Sequence, residues 1–295
     1  MITVNIKSKE FDGFRVLENI SFEVNRGDTL LILGPNGAGK TTLFRCIIGL
    51  LKFNGDINIK GLNVKSHYKE IKKIIGYVPQ SINFPENMTA RQLIVFHSKI
   101  HECNIDEEKL LREFDLNDVS DVAINEFSGG MKQRLALALA ISHNPEILIF
   151  DEPLANLDSE GKKIFIKILK EGKINNKTIL ISSHRISDFL AYINKVLILN
   201  EGKSIYYGSL EELIKNITDI KIYIKLKKDI GNISISKGKI LERVNDWLIV
   251  NTTNVLETLN ELKKYTNIES MFIEEPSLDR FFMVLNRGDK NVDNA

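Results

Sequence analysis

The chain has 295 residues, 43% of them hydrophobic, enough to bury a sizeable core and to predict one large domain with a small appendage. Forty basic residues against thirty-nine acidic leave a formal net charge of +1, so no global field favours nucleic acid or an anionic membrane surface, and no nucleic-acid partner is expected. No apolar run reaches the roughly 18 residues of a membrane helix, MITVNIKSKE lacks a signal-peptide pattern, and Cys46 and Cys103 stand without CxxC spacing, so a cytoplasmic protein without a zinc or disulfide framework is predicted.

β-forming runs at residues 3–6, 20–24 and 56–59, with turn signals at 25–28 and at Asn54-Gly55, predict an antiparallel layer. Another apolar run, 29–33, leads directly into GPNGAGKTT and then into an amphipathic stretch from Leu43. Strand, glycine-rich turn and helix in that order suit a phosphate-binding loop made of Gly34, Pro35, Asn36, Gly37, Ala38, Gly39, Lys40, Thr41 and Thr42. The glycines let backbone N–H groups and the start of the helix point at negative charge. Lys40 would reach the β- and γ-phosphates, and the Thr41 hydroxyl would serve magnesium, which prefers oxygen ligands. A plain glycine turn before an ordinary helix would leave Lys40 and Thr41 without a reason.

Residues 86–144 change to helical periodicity, punctuated at Asn104 and around 115–122, which predicts a helical insert. Inside it Ser128, Gly129 and Gly130 form a second small-residue turn ahead of the helical run 134–142. Such a turn can offer N–H groups, a helix dipole and a hydroxyl to an anion; it equally suits a plain N-cap. β runs at 147–150, 178–182 and 195–199, separated by a helical stretch at 161–170 and a helix starting at Ile186, predict a mostly parallel sheet covered on both faces.

The strand at 147–150 delivers Asp151 and Glu152 to the sheet edge where open α/β folds bind ligands. Asp151 would hold magnesium through water, and Glu152 would orient, or take a proton from, the water attacking the γ-phosphate. His184 follows the 178–182 strand and so shares that edge. His67, His97, His101 and His143 lie in helical or loop contexts without evident partners and read as structural or solvated. Beyond Leu213 the composition shifts: a helix ending near Asn216, strands at 220–226, 232–236, 247–251 and 268–273, and helices at 254–265 and 277–285 predict a small α+β domain. The domain expectation is 1–215, 216–286, and a polar tail, 287–295, that reads as disordered.

These motifs resemble the nucleotide-binding subunit of ABC transporters over essentially all of residues 1–215. SGGMKQ is similar to the signature motif of that family, and ILIFDEP to its Walker B strand with the following glutamate. Gln80 in IGYVPQ matches the Q-loop glutamine, Ala155-Asn156-Leu157-Asp158 the D-loop, and His184 in ILISSH the switch histidine. Phe11 falls where the family has an aromatic that stacks on adenine. Taken alone, Gln80 is an exposed loop amide and Phe11 a core or surface aromatic. Phe127 replaces the usual leucine, Asn156 a common alanine, and Phe11 lacks the tyrosine hydroxyl, though stacking needs only the ring face.

The resemblance implies an α/β fold: a P-loop ATPase core with a mostly parallel sheet, an antiparallel β layer and a helical insert, plus the small C-terminal α+β domain. It implies ATP and Mg2+ as cofactors, with Lys40, Glu152 and His184 catalytic and Thr41, Gln80 and Asp151 at the metal. Nucleotide would be held by Phe11, the 34–42 loop and Gln80, and by Ser128, Gly129, Gly130 and Asp158. It also implies a homodimer, or a heterodimer with a close relative, that sandwiches ATP between one chain's P-loop and the other's signature turn, together with a separate transmembrane permease subunit at the cytoplasmic face. A single motif set argues against a two-domain translation factor, and the lack of a coiled coil between Lys40 and Asp151 against a chromosome-maintenance ATPase. EEPSLDRFFMVL, residues 274–285, resembles the closing segment of ATPases serving ABC-2 type exporters, and is also compatible with a capped helix on a small sheet. The alternative to export is a cytosolic ABC ATPase for cofactor assembly or regulation. Phe84, Pro85 and Met88 in the loop at 80–91 would either face a membrane partner or pack against the insert.

Overall fold

The structure is a computed structural model and describes residues 1–155, 157–215, 220–227, 235–236, 238–252, 254–264 and 268–274. Contacts divide the chain into two compact units, Met1–Ser209 and Leu210–Ala295. The division falls just before a short helix that the sequence expectation kept with the larger domain.

β1 (Ile2–Phe11) buries Ile2, Val4 and Ile6 and exposes the residues between, the period-two pattern of a strand with one face covered. Asp12 and Gly13, at φ of 48° and 81°, turn it back into β2 (Phe14–Val24), the left-handed pair that a tight hairpin requires. β4 (Asn54–Ile59) and β5 (Leu62–Asn63) complete an antiparallel sheet ordered β2-β1-β4-β5. Asn54-Gly55, expected as a turn, instead starts β4. Gly55 takes φ 119° and its backbone approaches Asn5 so closely that an added Cβ would lie 2.1 Å from the Asn5 carbonyl oxygen, so the turn-forming pair marks a bulge in the ladder.

β3 (Thr29–Leu33), wholly buried, leads to α1 (Lys40–Ile47), and joins the second sheet, ordered β10-β9-β3-β8-β7-β6. Here β6 (Ile75–Val78), β7 (Ile147–Asp151), β8 (Thr178–Ser183) and β9 (Lys195–Asn200) run parallel with β3, and β10 (Lys203–Ser209) pairs antiparallel with β9. One core joins Ile2, Val4 and Ile57 of the first sheet, Phe44 and Ile47 of α1, and Ile32, Ile149 and Leu180 of the second, so the P-loop helix is clamped between sheets. α2 (Tyr68–Lys73) precedes β6, and α6 (Ser159–Ile174) covers β8 from the other side, where Phe165 meets Phe150 and Phe189 edge-on at 5.0 and 6.4 Å.

The insert holds α3 (Ala90–His101), opened by a Thr89/Gln92 capping box, α4 (Glu107–Glu113), capped by Asp106, two 3-10 turns, and α5 (Gly129–Ser142), capped by Ser128. The helix expected from Ile186 is a run of turns, with Phe189 N–H bonded to the Ile186 carbonyl and Tyr192 N–H to that of Phe189. The chain must reach β9 at Lys195, and burying Ile186, Phe189 and Ile193 in that short span favours tight turns.

The second unit contains α7 (Leu210–Lys215) and an antiparallel sheet of β11 (Ile220–Leu226), β12 (Gly238–Val244), β13 (Trp247–Thr252) and β14 (Ile268–Ile273), ordered β12-β13-β11-β14. α8 (Val255–Leu262), capped by Asn254, packs Leu259 and Leu262 on Ile222, Ile224, Leu248 and Val250. β12 carries no apolar alternation in GKILERV because it is an edge strand, mostly exposed. Residues 235 and 236 are irregular, against the strand expected at 232–236, whose other residues lie outside those described, as do Asn156, the expected helix at 277–285 and the expected tail.

Candidate functional site

The edge of the second sheet at the C-terminal ends of β3, β7 and β8 gathers the loop at 34–42, Asp151, Glu152 and His184. Gly34 threads so near β9 that a Cβ would lie 2.5 Å from the Leu199 carbonyl oxygen, and Gly39, at φ 98°, forms the N-cap of α1. Among the described residues no side chain caps that helix, so its first N–H groups remain available to an anion. Lys40 is 7% exposed; its Nζ donates to the carbonyls of Gly34 and Pro35 at 2.8 and 3.1 Å and lies 3.2 Å from Glu152 Oε1. The latter contact is an ion pair without hydrogen-bond geometry, since among the described residues no hydrogen bond reaches Oε1.

Glu152 leaves β7 at φ 48°, a left-handed conformation that a non-glycine residue holds only against strain. The Ser182 hydroxyl secures it, accepting the Glu152 N–H at 2.9 Å while donating to Asp151 Oδ1 at 2.5 Å. The turn aims the carboxylate at both Lys40 and His184, whose Nδ1 is 3.3 Å from Oε2. Asp151 is fully buried, and among the described residues no hydrogen bond reaches its Oδ2, because the nearby Thr41 hydroxyl is directed to Gln80. Burial pushes its carboxyl above the ordinary aspartate range, against the Ser182 hydroxyl, which favours the anion. A buried, unpartnered carboxylate oxygen near Thr41, whose Oγ1 donates to Gln80 Oε1 at 3.4 Å, is an all-oxygen donor set that fits a hard cation such as magnesium.

A cavity of about 280 Å³ is lined by Val16, Asn36, Gly37, Ala38, Gly39, Lys40, Thr41, Thr42, Gln80 and Glu152. Phe11 is not part of its lining; it stands 41% exposed at the end of β1 under the Lys9 ammonium, and Val16 of β2 borders the cavity instead. Nor do Ser128, Gly129, Gly130 or Asp158 line it. Ser128 Oγ accepts the Met131 N–H at 3.2 Å, and Ser128 and Gly129 are exposed. Asp158 caps α6 by accepting the Gly161 N–H at 2.7 Å.

A family model described as ABC transporter matches residues 17–155. NatA of Bacillus subtilis, an ABC transporter ATP-binding protein, is 32% identical over 246 residues, 79% of this chain and 100% of NatA. This chain belongs to the ABC transporter ATP-binding proteins. A Nod factor export ATP-binding protein from Burkholderia thailandensis is 33% identical and covers 70% of each chain. A solved ATP-binding subunit of an ABC transporter superposes with a TM-score of 0.67 at 28% identity, over 72% of this chain and 91% of that one. The protein is thus an ABC ATPase with a P-loop cassette fold.

Ser182 and Gln133 lay inside motifs quoted from the sequence but were given no role there, and Val16, which borders the cavity of this ABC ATPase, was not singled out at all. Ser182 faces Asp151 in register on the neighbouring strand, and its signal was a hydroxyl in an otherwise apolar central strand. Gln133, 2% exposed, donates Nε2 to the Pro153 carbonyl at 3.2 Å, tying the signature helix to the turn after Glu152. Its signal was a long amide just ahead of the apolar run 135–141 in the same helix. Among the described residues, no helix is long and apolar enough to cross a membrane.

Proposed function

We propose that this ABC ATPase drives an exporter, dimerising head-to-tail around ATP and passing the resulting closure to a separate membrane subunit. The observation that carries the reading is the division of the motif set: P-loop, Gln80 and Glu152 meet at one cavity, whereas the signature turn lies exposed and outside it. A second chain, the same or a close relative, would bring its Ser128, Gly129 and Gly130 to the nucleotide, the reciprocal contact that two-fold symmetry supplies twice. Export rests on the likeness to export ATP-binding proteins and on the resemblance at residues 274–285.

Lys40 and the N–H groups of residues 37–42 would hold the phosphates, and Thr41, Gln80 and Asp151 would hold magnesium, which when bound offsets charge on the β- and γ-phosphates. Glu152 accepts a proton from the attacking water, and His184, in contact with that carboxylate, orients it and meets the γ-phosphate. Phe11 and Val16 serve adenine, and Asp158 approaches through the partner's D-loop. The first unit, Met1–Ser209, would form the ATPase domain and the second, from Leu210, an accessory domain, six residues earlier than the 215/216 boundary expected from the sequence, with the whole at the cytoplasmic face of the membrane. Phe84 is half-buried along an apolar groove with Pro79, Ile82 and Leu139, beside Gln80, and this groove is where the membrane subunit would dock.

Glu152→Gln tests the chemistry. The amide takes no proton and no longer offers Lys40 a carboxylate, so ATP should bind at least as tightly while turnover falls roughly 10²–10⁴-fold and an ATP-bound dimer accumulates. Calorimetry, phosphate release and gel filtration in ATP read the three effects; undiminished turnover overturns the assignment.

A further inference from the structure

Away from the nucleotide site, His97 and His101 lie one turn apart on α3, and His143 forms the C-cap of α5. Their ring centroids are 4.3 Å apart for His97–His101, 3.9 Å for His101–His143 and 5.4 Å for His97–His143. One ring nitrogen from each lies within 4.8 Å of the others. The expectation that these histidines have no partners is therefore overturned: the helix spacing of the first two was visible in sequence, but only the packing of α3 against α5 adds the third.

The surrounding hydrogen bonds choose the tautomers. His143 Nε2 is 3.2 Å from the Ile75 carbonyl, which only accepts, so Nε2 carries the proton. Its Nδ1 is buried, and among the described residues no hydrogen bond reaches it, so it keeps its lone pair. His97 Nδ1 is 3.3 Å from Ser142 Oγ, whose own proton goes to the Leu139 carbonyl at 2.9 Å. His97 therefore donates from Nδ1 and leaves the Nε2 lone pair free. Oxygen acceptors that hold the far nitrogen of an imidazole are the usual support of a metal ligand.

We propose that His97, His101 and His143 form a binding site for a divalent transition-metal ion of the zinc class, with a fourth position open to the cavity that all three border. Imidazole suits zinc, copper, nickel and cobalt, whereas magnesium seeks oxygen, so this site and the nucleotide site select different ions. A tetrahedral ion with bonds of about 2.0–2.1 Å sets its ligand atoms about 3.3 Å apart, so binding draws the nitrogens together chiefly by turning His101 out of its stack, while the hydrogen bonds to Ile75 and Ser142 keep His143 and His97 in place. The ion braces α3 against the end of α5 and, through His143 and Ile75, against β6. The site opens into the same groove proposed above for the membrane subunit, but its observations and its test on the isolated chain do not depend on the exporter reading.

The test uses the full, untagged chain, stripped of metal and kept in excess magnesium. Cobalt(II) serves as the spectroscopic probe, and zinc is titrated by calorimetry. One equivalent of cobalt should bind with the visible spectrum of a tetrahedral nitrogen site and be displaced by zinc. His101→Ala should weaken zinc binding at least tenfold, His143→Ala likewise, and His67→Ala should change nothing. Because His143 caps α5, the His101 variant decides if His143→Ala fails to fold. No stoichiometric binding by the wild-type chain, or zinc affinity unaltered in His101→Ala, overturns the proposal.

Discussion

Two aspartates show how the same side chain is used for opposite ends. Asp28 is desolvated, which raises its pKa, yet hydrogen bonds from Asn194 Nδ2 and Asn25 N–H at 2.8 Å each, and Lys195 Nζ at 3.1 Å, outweigh that and bring it below the ordinary value of 3.8. A carboxyl with a depressed folded pKa contributes stability that is complete above its unfolded pKa and is lost as pH falls through the folded one. Asp28→Asn should thus cost about 2 kcal/mol near pH 7, as hydrogen bonds to a charged group do, and the gap from wild type should shrink as pH falls below 3.8, read by urea titration at several pH values. Asp151 has the reverse sign. Its folded pKa is raised, so its ionised form opposes folding above pH 3.8. Asp151→Asn should raise the melting temperature of the nucleotide-free protein by roughly 2–4 °C, what about 1 kcal/mol gives at this size, while abolishing turnover. A lower melting temperature in calorimetry would mean that the carboxylate is not an uncompensated charge.

At the scale of elements, α5 links three features: Ser128 at its start, Gln133 within it, and His143 at its end. It is seated on β6 through Gly76, where an added Cβ would lie 1.9 Å from the Ala140 carbonyl oxygen. Gly76→Ala must lift the helix from the sheet and should cost about 1–3 kcal/mol, the range for overpacking, measured by chemical denaturation. Ser128 separates capping from catalysis. Ser128→Asp preserves the N-cap, since aspartate caps as well as serine, but sets a negative charge where the proposed phosphate contact falls. Stability should be unchanged within about 0.5 kcal/mol, and ATP turnover should be lost. Turnover equal to wild type would leave Ser128 as a cap alone.

For the whole molecule, a site shared between chains predicts that specific ATPase activity falls on dilution, in proportion to the fraction of dimer, whereas a site complete within one chain predicts no such dependence. Dilution kinetics with pre-equilibrated protein distinguish the two. Among the described residues, the core of the second unit shares none with that beneath the 34–42 loop, and every residue lining the cavity of the candidate site lies within Met1–Ser209. A fragment ending at Ser209 should therefore bind ATP with unchanged affinity in calorimetry.

Much of the fold, and the residues that meet at the candidate site, were legible because their information is contiguous along the chain. Alternation in β1, the unbroken apolar runs of β3, β7 and β8, and the strand–glycine–helix order at 34–42 each express local sterics and the burial of one face. Asp151, Glu152 and His184 followed from that, since a residue ending a parallel strand lies at the sheet edge wherever the strand sits. Tertiary structure decided what depends on which elements touch: the Ser182 hydroxyl bridging Asp151 and Glu152, the Glu152 carboxylate held between Lys40 and His184, the bulge made from Asn54-Gly55, the edge strand β12. The three histidines are the clearest case. Nothing in the local sequence of His143 refers to α3, and only burial of the helix faces against one another brings the imidazoles within reach of a single ion.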